Sequence, residues 1–209
     1  MTKPEPGAPR TSRRRAIFGM AVGLLIAGVL VGALWAWIAP PIHGVVVLTH
    51  GGDRLHDYLD NESDHFFVAA FLMLGLLNVL AAVAAALAWQ WRAHRGPGMV
   101  TGLCAGVVIA AGAAVGVGAL LVHLRYGTID FATAPVSHDH PVYYFTDAPP
   151  VFFGRTALQI ACTLLLPATT AALVYAVPVA ATARDDLGGY PAVDAGYPQP
   201  AKTPTSTPL

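Results

Sequence analysis

Charge is what this chain has least of. Asp, Glu, Lys and Arg make up only 11% of its 209 residues, and the stretches 16–39, 66–89, 99–124 and 157–179 contain none of them. A soluble domain needs a charged surface, so a 55% hydrophobic chain with mean hydropathy +0.56 is excluded from that class. Each uncharged stretch, at about 1.5 Å per helical residue, is long enough to cross roughly 30 Å of hydrocarbon. The sequence therefore predicts an all-α membrane protein, a bundle of four transmembrane helices.

Cysteine is scarce as well. Cys104 and Cys162 both fall inside spans, at different depths, which argues against a disulfide between them. Also missing are a Gly-rich phosphate loop, a Gly-x-Ser-x-Gly elbow, His-Glu-x-x-His and any Cys-x-x-Cys pair. Those gaps count against the common enzyme classes and ATP-driven transport. No catalytic residue is nominated: Ser63 and Ser137 have no recognisable motif around them. Arg13, Arg14 and Arg15 before the first span mimic a secretory signal, but a signal's apolar core is about 7–15 residues long. This stretch is longer and ends in Trp35, Trp37 and Pro40-Pro41, so it reads as a retained anchor.

The few charges are unevenly placed. Lys3, Arg10, Arg13, Arg14, Arg15, Arg92, Arg95, Arg184 and Lys202, nine of the twelve Lys and Arg, fall on one side of the four spans. By the positive-inside rule that side is the cytoplasm, with both termini there and the protein in the plasma membrane. Outside remain Arg54, Arg125 and Arg155 against Asp53, Asp57, Asp60, Glu62, Asp64, Asp130, Asp139 and Asp147; three minus eight gives minus five. That balance favours cations or basic partners and argues against nucleic acid.

The expected organisation is a disordered tail over 1–15, the four-helix domain over 16–179 with outer segments 40–65 and 125–156, and a disordered proline-rich tail over 180–209. Within the spans, Gly19-x-x-x-Gly23, Gly28-x-x-x-Gly32, Gly102-x-x-x-Gly106 and Gly112-x-x-x-Gly116 are ridges on which a second helix can seat, within the chain or in a dimer. Asn78, alone among apolar residues, is either interhelical glue or part of a polar path, and Gln159 faces the same choice. Pro167 should kink the fourth helix.

The outer segments hold the chemistry. Between His43 and His65 lie four of the eight histidines (His43, His50, His56, His65) and five of the twelve acids (Asp53, Asp57, Asp60, Glu62, Asp64). The β-branched run 44–49 reads as a strand closed by Gly51-Gly52, and 128–132 and 142–146 as two further strands. Together they predict a small sheet in an extracytoplasmic cap. Asp53, Asp57 and Asp60 recur at i, i+4 and i+7, which predicts an amphipathic helix over 53–60. Asp53, Asp57, His65 and His123 form a candidate outer binding surface. Seven of the eight histidines lie at or beyond the outer boundary, and imidazole with carboxylate can hold zinc or another divalent ion. The candidate ligands are His138, Asp139, His140, His50 and His56, beside the alternatives of pH-sensitive hydrogen bonding and plain polar surface. No cofactor beyond such an ion is expected.

Three passages carry a resemblance: Val-Val-Leu-Thr-His-Gly-Gly-Asp-Arg-Leu-His-Asp-Tyr-Leu from Val46, His65-Phe66-Phe67 entering the second span, and Tyr-Tyr-Phe-Thr-Asp-Ala-Pro-Pro-Val-Phe-Phe-Gly from Tyr143. From Arg13 to Ala181 the chain resembles an uncharacterised four-helix membrane-protein family of mycobacteria and related actinobacteria that carries a domain-of-unknown-function label. The resemblance implies a location and no activity. The functional expectation is a non-enzymatic accessory or scaffold protein of the cell envelope that uses its cap to bind a protein partner. A small transporter or channel with a polar path through Asn78 and Gln159, or extracytoplasmic divalent-metal binding, is the alternative.

Overall fold

The computed structural model describes residues 12–49, 51–59, 62–127, 134–137, 140–151, 156–183 and 187. The expected strand over 128–132 and most of both expected tails lie outside these residues. Four long helices, α1 (Arg13–Ile38), α2 (His65–Gln90), α3 (Pro97–Tyr126) and α4 (Ala157–Ala180), are each long and apolar enough to cross a membrane. Between α1 and α2 come strands β1 (Ile42–Leu48) and β2 (Arg54–Tyr58), and β3 (Val142–Asp147) lies between α3 and α4.

Local chemistry sets the helix limits. The expectation of disorder up to residue 15 is corrected: Ser12 caps α1, its Oγ accepting from the Arg15 N–H at 3.4 Å, so Arg13–Arg15 are already helical. Pro40 forces Ala39 into extended backbone, with ψ 130°, and ends α1. Pro97 opens α3. At the start of α4, Thr156 and Gln159 form a reciprocal capping box, so the Gln159 side chain serves the helix end. Helix α4 continues through both Pro167 and Pro178.

Around the bundle α1 packs on α3, α3 on α4, α4 on α2 and α2 on α1. Lipid tails are as apolar as leucine, so close packing and interhelical hydrogen bonds hold such helices together. Gly28 and Gly32 let α1 lie directly on the α3 backbone at Ala110 and Ala114. Gly102 and Gly106 receive Ile17 and Leu24 in return, and Gly118 receives the ring of Trp35. Gly19, Gly23, Gly112 and Gly116 are the correction to the ridge reading. A Cβ built on any of them meets nothing within 4 Å, because they point away from the α1–α3 seam.

Side-chain hydrogen bonds add to the packing. The fully buried Trp35 donates its indole N–H to the Ala69 carbonyl of α2 at 2.7 Å. Asn78 donates to the Leu74 carbonyl at 2.7 Å and accepts from the Thr170 hydroxyl of α4 at 2.5 Å. Both cysteines are free.

The sheet is antiparallel, in the order β2-β1-β3, so its central and one outer strand come from the first loop and its third strand from the second. The expected helix over 53–60 is corrected: Arg54–Tyr58 is a strand. A turn in which Gly52 takes φ +88° brings Val45 opposite Asp57, and Val47 opposite Leu55. The turn is closed by Thr49 N–H to Asp53 O at 2.9 Å and Asp53 N–H to Thr49 Oγ1 at 3.0 Å. An isolated helix of eight residues cannot recover its nucleation cost, whereas this strand has a ladder ready beside it.

Candidate functional site

The polar cap residues are positioned by β1. Its inward side is Ile42, Gly44 and Val46, all buried, which turns His43 toward the start of α2. There the carboxylate oxygen Oε2 of Glu62 accepts from the His43 backbone N–H at 2.5 Å and from its ring Nδ1 at 2.8 Å. The backbone bond, followed by the ring, holds the Glu62 carboxyl below its ordinary range, against the opposing pull of desolvation. With the proton on Nδ1, a neutral His43 keeps Nε2 as an acceptor; a protonated His43 gains a second donor there. Next to it, His65 bonds the Pro41 carbonyl through Nδ1 at 2.9 Å, tying the first residue of α2 to the end of α1.

The second polar feature is a groove of about 330 Å³ between β1, β3 and the last turn of α3. His43 and Leu59 line one side, Tyr143, Tyr144, Phe145 and Thr146 another, and Arg125 and Tyr126 the helix end. The Arg125 guanidinium lies 5.3 Å from the centre of the Tyr126 ring, within cation–π range. Gly127, at φ +81°, ends α3 there and returns its N–H to the His123 carbonyl at 2.8 Å.

A small apolar core stiffens the cap from the other side: Val46, Ala134, Val136 and Phe145, with Leu48 and Tyr58 against them. Gly44 stands opposite both Tyr58 and Phe145, whose rings meet edge to face at 6.3 Å. Burial, with Asp147 and Asp57 nearby, pushes the Tyr58 hydroxyl pKa above its ordinary value.

The candidate residues named from sequence are dispersed. Asp53 and Asp57 are exposed on the β1–β2 hairpin, and His123 is exposed on the last turn of α3. Of the candidate metal ligands, His56 is exposed on β2 and His140 is exposed in a turn with Ser137, while His50, His138 and Asp139 lie outside the described residues. Among the described residues no three His, Cys, Asp or Glu side chains come together as a metal site would require. Sequence reasoning missed the His43–Glu62 pair and the Arg125–tyrosine groove. The adjacent Tyr143-Tyr144 was the available signal for the groove.

Known proteins set this architecture in context. Residues 24–189 match a family described as protein of unknown function (DUF2567). Uncharacterized protein Rv1591 of Mycobacterium tuberculosis is 64% identical over 174 residues, which is 83% of this chain and 90% of the relative. Uncharacterized protein ML1222 of Mycobacterium leprae is 61% identical over 177 residues, 85% of this chain and 89% of the relative. No solved structure matches. By both the length matched and the identity, this four-helix chain belongs to the DUF2567 family, whose function is unknown.

Proposed function

We propose that this protein is a non-enzymatic accessory or scaffold protein of the cell envelope, seated in the plasma membrane, whose sheet-bearing cap presents the binding surface. The observation that carries the reading is what the polar groups of the spans do. Asn78 is engaged by Leu74 and Thr170, and Gln159 by Thr156. Both residues on which a transport path would rest therefore act as helix-fixing groups, which supports a static bundle over a conducting one.

Sidedness rests on charge. Gly98, at the start of α3, lies against the Arg13 side chain, and Arg95 donates to the Leu187 carbonyl beyond α4 at 2.8 Å. The 91–96 hairpin therefore lies at the same end of the bundle as the start of α1 and the end of α4. Arg13, Arg14, Arg15, Arg92 and Arg95 belong to this end, and the positive-inside rule supports reading it as the cytoplasmic end, with the cap outside.

The test is a stoichiometric partner recovered in mild detergent from cells expressing the full chain, and its loss on substituting the exposed Asp53 and Asp57 by Ala. Solute or proton flux in reconstituted vesicles that disappears in Asn78→Leu would overturn the scaffold reading. For topology, a Cys104→Ala, Cys162→Ala background with a single cysteine at Ser137 should react with an impermeant thiol reagent in intact cells. One at Arg92 should not.

A further inference from the structure

We propose that the groove at the end of α3 holds the phosphate group of an anionic membrane lipid, with Arg125 as its main contact. The proposal rests on the membrane placement of the bundle and not on a protein partner.

The first support is the local sign of charge. The cap as a whole is acidic, yet among the described residues the groove is lined by no Asp or Glu. Its lining instead includes Arg125, His43, Tyr126 and Tyr144, while Tyr143, the neighbouring lining residue, turns its side chain to the opposite face of β3. Glu62 is bound to His43 and is not itself a lining residue. The guanidinium and a tyrosine hydroxyl are donors that a phosphate diester accepts from, and the imidazole joins them only when protonated, since neutral His43 gives its one ring N–H to Glu62.

The second support is that Arg125 is exposed and forms no salt bridge with any described residue; its one described partner is the face of Tyr126. A cation in the last turn of a helix is favoured by the helix dipole alone, but the dipole does not require a tyrosine on a facing strand.

The third is position. Leu120, Leu121 and Leu124, immediately before Arg125, are exposed apolar residues on a helix long enough to span a bilayer. A lipid whose chains lie along that face carries its headgroup at the level of Arg125. The volume, about 330 Å³, is at the small end of ligand pockets, enough for a headgroup and not for acyl chains.

The experiment uses the full chain in phosphatidylcholine nanodiscs doped with phosphatidylglycerol, with retained lipids counted by native mass spectrometry. The wild type should retain phosphatidylglycerol over phosphatidylcholine, and Arg125→Gln should lower that preference about tenfold, as loss of a charge-assisted contact does. Tyr144→Phe, which removes only an exposed hydroxyl, should lower it less, and Arg54→Gln, on β2, should leave it unchanged. Equal retention by wild type and Arg125→Gln overturns the proposal. So does a wild type that shows no lipid preference while soluble inorganic phosphate binds in an Arg125-dependent way, since the ligand would then not be a lipid.

Discussion

Thr170 of α4 donates its hydroxyl to the Asn78 side-chain oxygen of α2 at 2.5 Å, a polar contact between two spans with no charged residue in them. Interhelical bonds of this kind contribute about 0.6 kcal/mol on average and up to about 1.7. Asn78→Leu and Thr170→Val should each destabilise the bundle by about 1 kcal/mol in detergent unfolding. The double variant should cost less than the sum, because the two substitutions remove one bond. Full additivity would show that the pair is not coupled.

Gly28 separates close packing from glycine content. A Cβ there would lie 2.8 Å from the Ala110 Cα, and backbone cannot step aside. Gly28→Val should therefore cost at least about 1–3 kcal/mol, the ordinary range for overpacking. Gly19→Val, into open space, should leave thermal stability in detergent unchanged or raised, since Gly is a poor helix former.

At Gly44 the obstacle is a side chain. A Cβ would lie 2.7 Å from the Phe145 ring carbon Cε1, so Gly44→Ala should loosen the β1–β3 pair and expose the cap to limited proteolysis. Adding Phe145→Leu should restore part of the resistance by giving the new methyl group room. No restoration would place the strain elsewhere.

The His43–Glu62 pair makes the cap sensitive to acid. Glu62 titrates lower in the fold than in the unfolded chain, so its stabilising contribution is present above the unfolded carboxyl range. It is lost as pH falls through the lowered folded value. The protection factors of the β1 amides, taken against the unfolded-chain exchange rate at each pH, should fall below about pH 4.5 in the wild type, and the difference between wild type and Glu62→Gln should vanish in acid. A difference that persists at low pH would show that Glu62 acts by packing alone.

The Tyr58 hydroxyl works in the opposite direction. Its folded pKa is raised above the unfolded value of 10.0, so its neutral form supports the fold up to that pH and the contribution is lost above it. Difference ultraviolet titration of wild type against Tyr58→Phe should assign to Tyr58 a phenolate that appears above pH 10.0 in the fold and earlier in denaturant.

What could be seen in the sequence follows from how far each signal reaches. Four uncharged runs define four spans without reference to anything else in the chain, and the β-branched run at 44–49 found its strand nearly to the residue. The 53–60 stretch failed because β2 is almost wholly exposed, so no burial pattern marked it, and three aspartates fit a helix period by chance. The glycine ridges were half legible: spacing names a face, but only the partner helix decides whether Gly28 or Gly19 is used. The groove was barely legible: Tyr143-Tyr144 is its one local signal, and it joins His43, Arg125 and Tyr144 from distant parts of the chain.

The sheet order β2-β1-β3 also has a consequence in time. Strand β1 pairs immediately with β2, but Val47 must wait for Val142, 95 positions later (142 − 47), with α2 and α3 in between. During synthesis the cap therefore remains a two-stranded hairpin, marginal on its own, until α3 and the second loop have been made. The last rungs of its ladder close only on a chain whose preceding helices are inserted. An antibody or protease that reads β1–β3 pairing would thus follow completion of membrane assembly, and a truncation after α3 should leave β1 and β2 degradable.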